Sequence, residues 1–494
     1  MGIIQRQTIK STVYIYAGVI VGFITTAVIF PRVLTSAQIG VTILLGSWSS
    51  VFAQGATLGF NGATVKFFSR FRNKEKNHHG FLFLLLLVAL GGFLLFLGLY
   101  YLLKPWLIAT HDDSSPLFRH SIYLIIPFTF LILLFLMLDT YNRVLYNATT
   151  GTLLKELFLR LFILLGTLLF FFNLLNFNQF AAWYVGAQGG TVAMLIVFLI
   201  WQKEFNPMPD FSRLDSSLIR GMASLSLFSF LTGFSALAIL RIDSIMIGSY
   251  LTEAEVGIYA MNINFATLVM LPTRALRNIA PTLIADAFNN DDLDAIGSIY
   301  QKSTITQLTV GLLLMLGLWV NTETIYAILT PEYRTGIYVV LFIGLSNVAR
   351  MGGGLSDAIV GYSKHYKMNT VFNAGWLLLI VLTNLIFIPT LGITGAALAS
   401  LVSVVVITVV RFWFVYRKFG MQPYRFEHLL VIVLAALTYF LISLLPTFSP
   451  FWIDFLLKGS LVVAIYGSAV YFLNVSPEIN ALVNSTAQRI RSLF

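Results

Sequence analysis

Long apolar runs separated by short polar gaps dominate this chain, and that pattern predicts its elements. Runs such as 81–103 and 429–445 are close to the roughly 20 residues that cross a bilayer as helix. Alternation with period two is absent, so the spans read as helices rather than barrel strands. Fourteen spans are predicted, at 12–31, 40–62, 81–103, 121–141, 157–175, 180–201, 222–248, 256–276, 304–320, 336–360, 371–388, 393–416, 429–445 and 455–473. The gaps leave no room for a soluble domain. The expected fold class is an all-α polytopic membrane protein.

The same pattern contains an internal repeat. Leu34-Thr35-Ser36-Ala37-Gln38-Ile39-Gly40-Val41 returns 217 positions later as Leu251-Thr252-Glu253-Ala254-Glu255-Val256-Gly257-Ile258. Asn61/Asn278 and Ala63/Ala280 keep the same offset without a gap. Six spans separate the copies, an even number, so both copies face one side and the halves are parallel rather than inverted repeats. The expected organisation is an amino-terminal lobe at 1–201, a linker at 202–219 and a carboxyl-terminal lobe at 220–416. Two extra spans follow at 417–473, with a short amphipathic tail at 474–494. The linker carries Pro207, Pro209 and mixed charge, as an exposed connector does.

Composition agrees with membrane residence. Hydrophobic residues make up 58% and charged residues 11%, against about 25% charged in soluble domains. The net charge of +10 is explained by loop cations that set topology, so no nucleic-acid partner is implied. With both termini cytoplasmic, the inner segments and inner span edges hold 23 Lys and Arg and the outer segments five, while Arg241, Arg350 and Arg411 lie deeper within spans. Arg6 and Lys10 precede a first apolar run without a small-residue cleavage site, which reads as a retained span. Cysteine is absent, which removes disulfide and thiolate chemistry.

No P-loop, zinc-protease or nucleophile-elbow motif occurs, so no enzyme, cofactor or metal is expected. His78-His79 reads as a solvated loop pair. The informative residues are ionisable groups inside spans, which are costly there and face a cavity or a partner. Arg241 and Asp243 interrupt the seventh span and read as either an ion pair or site residues. Arg350 lies in the tenth span, with Asp357 seven residues on along the same helical face. Gly352-Gly353-Gly354 between them weakens the helix. Arg274 and Arg277 lie toward the inner half of the eighth span, where the first repeat has Thr57 and Phe60. Asp139, Arg411 and Arg277 read as interface snorkellers or as functional charges. In-span amides, among them Gln54, Asn61, Gln188, Asn262, Asn264, Asn347 and Asn373, are either interhelical glue or contacts for a hydroxyl-rich substrate.

These features together resemble a known family. The span count, the parallel lobes, the two extra spans, Arg241-Ile-Asp-Ser-Ile-Met-Ile-Gly-Ser-Tyr-Leu251 with Val256-Gly-Ile-Tyr259, and Leu391-Gly-Ile-Thr-Gly-Ala-Ala-Leu398 carry the likeness. The chain resembles the polysaccharide-transport (O-antigen flippase) branch of the multidrug/oligosaccharidyl-lipid/polysaccharide exporter superfamily. The resemblance implies a flippase that carries undecaprenyl-pyrophosphate-linked oligosaccharide from the inner to the outer leaflet of a bacterial cytoplasmic membrane by alternating access. It implies a V-shaped cavity lined by cations. In the related lipid II flippases the two extra spans form a groove for the lipid tail. Partners would be the lipid-linked oligosaccharide, membrane lipids and glycan polymerase or export machinery, with the chain itself a monomer.

On that reading Arg350, Arg241, Arg274, Arg277 and Lys66 are the pyrophosphate candidates, because phosphate needs Arg or Lys. Asp243, Asp357 and Asp139 are charge-balancing or ion-coupling candidates. Gln54, Asn61, Asn262 and Asn347 are sugar-contact candidates. A multidrug exporter of the same superfamily is the main alternative, although such exporters usually stop at twelve spans. A major-facilitator transporter places its extra spans between the lobes, and its signature is missing from 62–80. A membrane enzyme of glycan assembly needs a large outer loop that this chain lacks.

Overall fold

The computed structural model describes residues 2–109, 115–210, 212–327, 329–446 and 448–491, without the side chains of 2–12, 274, 275, 278, 279, 487, 490 and 491. Among the described residues there are helices and turns but no strands, and eleven helices are long and apolar enough to cross a membrane. One of these, Met368–Phe419, is two helices joined by a kink at Gly392. Two further predicted spans, 157–175 and 256–276, fall on helices broken by π or 3-10 turns. The count of fourteen treats the kinked helix as two spans and both broken segments as crossing.

The chain divides into two compact units, Met1–Ala260 and Met261–Phe494. This division follows contacts, whereas the lobe boundaries above follow the repeat.

The first unit contains α1 (Gly2–Phe23), α2 (Ser36–Ala56), α3 (Phe60–Phe67), α4 (Phe81–Ala109), α5 (Pro116–Ser121), α6 (Ile125–Val144), α7 (Leu159–Phe171), α8 (Phe177–Trp201) and α9 (Ser216–Tyr250). Its centre is α2, which packs against α4, α6 and α9. Apolar residues surround α2 on several sides: Ile39, Val41, Leu44, Leu45 and Ala53 are all buried. A helix apolar all round belongs inside a bundle or in lipid, and α4 shows the second case, with Leu90, Leu94, Leu95 and Leu102 outward. Thr35 begins α2 with a capping box, its hydroxyl accepting from Gln38 N–H. The second predicted span is not continuous: Leu58 and Gly59 adopt left-handed backbone and separate α2 from α3.

The loop before α4 corrects the expectation for the histidine pair. His78 and His79 are buried, not solvated. The His78 ring nitrogens meet Glu204 Oε2 at 2.7 Å and the Asn73 N–H at 3.1 Å. Because that N–H donates to Nδ1, the proton sits on Nε2 and points at the carboxylate. His79 reaches Asp210 at 3.3 Å, and Lys74 reaches Glu204 at 2.9 Å. The stretch 204–210 is thereby tied to the loop between α3 and α4.

The second unit contains α10 (Glu253–Ala266, which begins in the first unit), α11 (Thr273–Asn289), α12 (Leu293–Val320), α13 (Ile337–Gly352), α14 (Ser356–Tyr362), α15 (Met368–Phe419), α16 (Phe426–Ser443), α17 (Phe451–Val462) and α18 (Pro477–Arg491). Leu308, Met315, Val348 and Met351 of α12 and α13 form one core with Val431 and Ala435 of α16 and Val462 of α17. The two carboxyl-terminal apolar helices are therefore built into this unit. Lys458 and Asp454 form a buried pair at 2.8 Å, and Thr324 also donates to Asp454.

Candidate functional site

Four helices of the second unit bring together three arginines and one aspartate. Arg277 lies on α11 and Arg350 two residues before the end of α13. Asp357 is in the first turn of α14, and Arg411 is in the second half of α15. Arg277 Nη1 donates to Asp357 Oδ2 at 2.8 Å. Arg411 Nη2 donates to Asn373 Oδ1 at 2.8 Å, and Asn369 holds the Asp357 carbonyl at 2.9 Å. The Arg350 guanidinium lies 5.4 Å from the Trp376 ring, and Arg411 lies 6.0 Å from Trp376 and 5.9 Å from Phe372. Guanidinium planes over indole and phenyl faces are attracted by the ring quadrupole and held in orientation.

The local backbone decides the pairing. Gly354 has φ of +59°, and a Cβ there would lie 2.4 Å from the Thr304 hydroxyl. Only glycine fits this left-handed turn, which ends α13 at Gly352 and restarts the helix at Ser356. Arg350 and Asp357 therefore do not share one helical face, and that expectation is corrected. The break hands Asp357 to Arg277, while Arg350 has no ion pair among the described residues.

One carboxylate balances one guanidinium, so the group carries an excess of two positive charges. Among the described residues, Arg277 Nε and Arg411 Nε have no hydrogen-bond partner. The Arg277 and Asp357 side chains are 34% and 28% exposed, so the group is open rather than sealed. Half-open cations in a membrane helix bundle can attract an anion. Guanidinium forks match phosphate oxygens two at a time.

The other expected residues are placed as follows. Arg274 lies on α11 one turn before Arg277, and its side chain is outside the described residues. Arg241 and Asp243 are not an ion pair: two residues apart on continuous α9, they point to different faces. Asp243 accepts from the Tyr259 hydroxyl at 2.9 Å, and Arg241 lies within electrostatic reach of Tyr184. Lys66 is exposed, 5.8 Å from the Phe67 ring. Asp139 is buried against Arg143 at 2.7 Å. Gln54 is half-buried beside Gly233, and Asn61 is half-buried with its Oδ1 unpartnered among the described residues. Asn262 is committed to the protein, donating to the Tyr333 carbonyl and accepting from the Tyr326 hydroxyl. Asn347 donates to the Ala266 carbonyl at 2.9 Å. No group of three metal-ligating side chains occurs among the described residues.

Sequence reasoning did not place Arg411, Asn373 and Trp376 in one site. A signal existed: Asn373 and Arg411 lie nineteen residues on either side of Gly392, the kink about which α15 folds back. Antiparallel helices bring equidistant residues to the same depth.

A MatE family model matches residues 229–343. The solved structure of Lipid II flippase MurJ in its inward closed conformation is 16% identical, covers 94% of this chain and 100% of that chain, and superposes with a TM-score of 0.72. An inward-facing multidrug resistance MATE family transporter of the MOP superfamily is 14% identical, covers 83% of this chain and 94% of that chain, and gives 0.63. A mutant of the Vibrio cholerae MATE transporter VcmN is 14% identical, covers 85% and 98%, and gives 0.54. No curated relative matches the chain. Eleven apolar helices among the described residues and these superpositions make this a multi-pass membrane protein with the fold shared by the MurJ flippase and the MATE transporters.

Proposed function

We propose that this protein is a transporter, not an enzyme, and that it flips an undecaprenyl-pyrophosphate-linked oligosaccharide across a bacterial cytoplasmic membrane by alternating access of its two lobes. The observation that carries the reading is the excess of guanidinium over carboxylate around Asp357. An exporter of cationic drugs needs the opposite sign. A pyrophosphate needs several fixed donors and two or more positive charges, which Arg277, Arg350 and Arg411 supply. Arg274, Arg241 and Lys66 are the further cations proposed for the headgroup. Asp357, Asp243 and Asp139 balance charge. Gln54 and Asn61 remain the amides proposed for sugar contacts.

The coverage of the superpositions supports a lipid-linked cargo over a drug. It rises from 83% and 85% with the exporters to 94% with the flippase, a difference that the helices at 417–473 are long enough to account for. The O-antigen branch, the monomeric state, cytoplasmic termini and partnership with polymerase or export machinery belong to the same proposal. Depletion of the protein in its host tests it. Lipid-linked oligosaccharide should accumulate on the cytoplasmic leaflet. Sensitisation to drugs with normal glycan would favour the exporter.

A further inference from the structure

An apolar groove of about 630 Å³ opens on the first unit, and none of its lining residues belongs to the arginine site. Its size lies within the roughly 300–1,000 Å³ typical of ligand pockets. Leu58 and Phe60 at the break between α2 and α3, Leu84 and Val88 of α4, and Met222 and Phe230 of α9 line it. The left-handed backbone at Leu58 and Gly59 interrupts the helix beside it. Ser226 is the one polar side chain in the lining, and its hydroxyl has no hydrogen-bond partner among the described residues.

Among the described residues, cations outnumber carboxylates at the mouth, where Arg70, Arg213 and Arg220 face the single acid Asp215. Leu214 and Ile219 belong to the lining, and their neighbours Arg213 and Arg220 are exposed. Arg70, also exposed, lies within electrostatic reach of Asp215 at the same end. Asp215 itself is engaged in capping α9, where it accepts from Leu218 N–H at 2.6 Å. From Arg220 to Phe230 the helix rises about 15 Å, half of a bilayer core of about 30 Å. An excess of cations at one end, an unpaired hydroxyl within and hydrocarbon walls one leaflet deep match the parts of a phospholipid in order: anionic headgroup, ester carbonyl, acyl chain. Basic segments beside a span attract anionic lipids for the same reason.

We propose that an anionic phospholipid of the leaflet beside the basic loops seats one acyl chain in this groove, its headgroup held by Arg70, Arg213 and Arg220. The site uses none of the residues assigned to the transported headgroup, so it stands or falls separately from the flippase reading. Native mass spectrometry of the full-length protein tests it, with dioleoyl phosphatidylglycerol, dioleoyl phosphatidylcholine and undecaprenyl phosphate as probes. The wild type should retain one phosphatidylglycerol at least tenfold better than phosphatidylcholine. Ala223→Trp should fill the groove and abolish retention. Ile219→Trp at the half-exposed mouth is the second blocking variant, should Ala223→Trp fail to fold. A combined R70Q/R213Q/R220Q variant should lose the preference between the two headgroups. Undiminished phosphatidylglycerol retention in a folded blocking variant would overturn the proposal. So would one-for-one displacement by undecaprenyl phosphate, which would assign the groove to a polyprenyl chain.

Discussion

Gly40 and Gly257, equivalent positions of the repeated phrase, cross each other reciprocally at the start of α2 and α10. A Cβ on Gly40 would lie 1.7 Å from the Glu253 carbonyl oxygen, and a Cβ on Gly257 would lie 2.0 Å from the Ser36 carbonyl oxygen. Ser36 and Glu253 are themselves equivalent in the repeat. Each copy therefore meets the other as a two-fold pair does, residue i on j and j on i. The phrase does no chemistry, but its glycines let two backbones touch.

Gly40→Ala or Gly257→Ala forces the crossing apart, because the obstructing atoms are backbone rather than flexible side chain. Each substitution should cost about 1–3 kcal/mol, the usual penalty for overpacking. Thermal unfolding in detergent should show the loss for both variants alike. A pair of unchanged Tm values would mean that the crossing is loose.

Asp357→Asn removes the partner of Arg277 and leaves three like charges together. Since the pair is about one-third exposed, the stability loss should be modest, about 1–2 kcal/mol. Binding of an anionic headgroup should tighten, since the carboxylate no longer competes for Arg277. Arg277→Gln should weaken it. Titration with a pyrophosphate-bearing lipid checks the opposite signs, and shifts of equal sign would contradict the charge argument.

Asn262→Ala separates structure from recognition. Its amide joins Tyr326 and Tyr333 inside the second unit, so losing it leaves buried groups unpaired. The expected cost is about 1–3 kcal/mol in unfolding experiments. Full stability with selective loss of transport would return Asn262 to the sugar-contact set.

Much of this was legible in the chain and some was not. Apolar runs gave the spans, and the repeat marked Gly40 and Gly257 as equivalent without showing that their backbones meet. Depth in the spans singled out Arg350, Arg277 and Asp357. Their pairing was hidden, because it depends on the turn at Gly354 that takes Asp357 off the face of Arg350. Burial of His78 and His79 was hidden for a similar reason. Four successive residues, Asn77 to Gly80, take left-handed backbone and turn the rings inward, where a polar sequence suggests solvent. Arg411 needed the hairpin about Gly392 before its neighbours were known.

The tether on 204–210 should respond to substitution and to acid. Hydrogen bonds from Ser212, side chain then backbone, with His79 adding, hold the Asp210 carboxyl below its ordinary value. A depressed carboxyl contributes stability that is present above the ordinary carboxylate range and is lost as pH falls through the lowered value. The Asp210 contact should therefore persist at pH 5 and loosen only in stronger acid. Glu204→Gln removes the charge facing His78 and Lys74, and should speed limited proteolysis between 203 and 213 at neutral pH. Equal cleavage rates in the variant and the wild type would contradict the tether.

Leaflet exchange in vesicles tests the central claim most directly. Reconstituted wild-type protein and an Arg277→Ala/Arg350→Ala/Arg411→Ala variant would each be given an undecaprenyl-pyrophosphate-linked oligosaccharide, with its outer-leaflet exposure followed over time. The wild type should move the lipid, and the variant should be at least tenfold slower while remaining folded. A variant that flips at the wild-type rate, or a wild type that moves a cationic drug and not the lipid, would contradict the account.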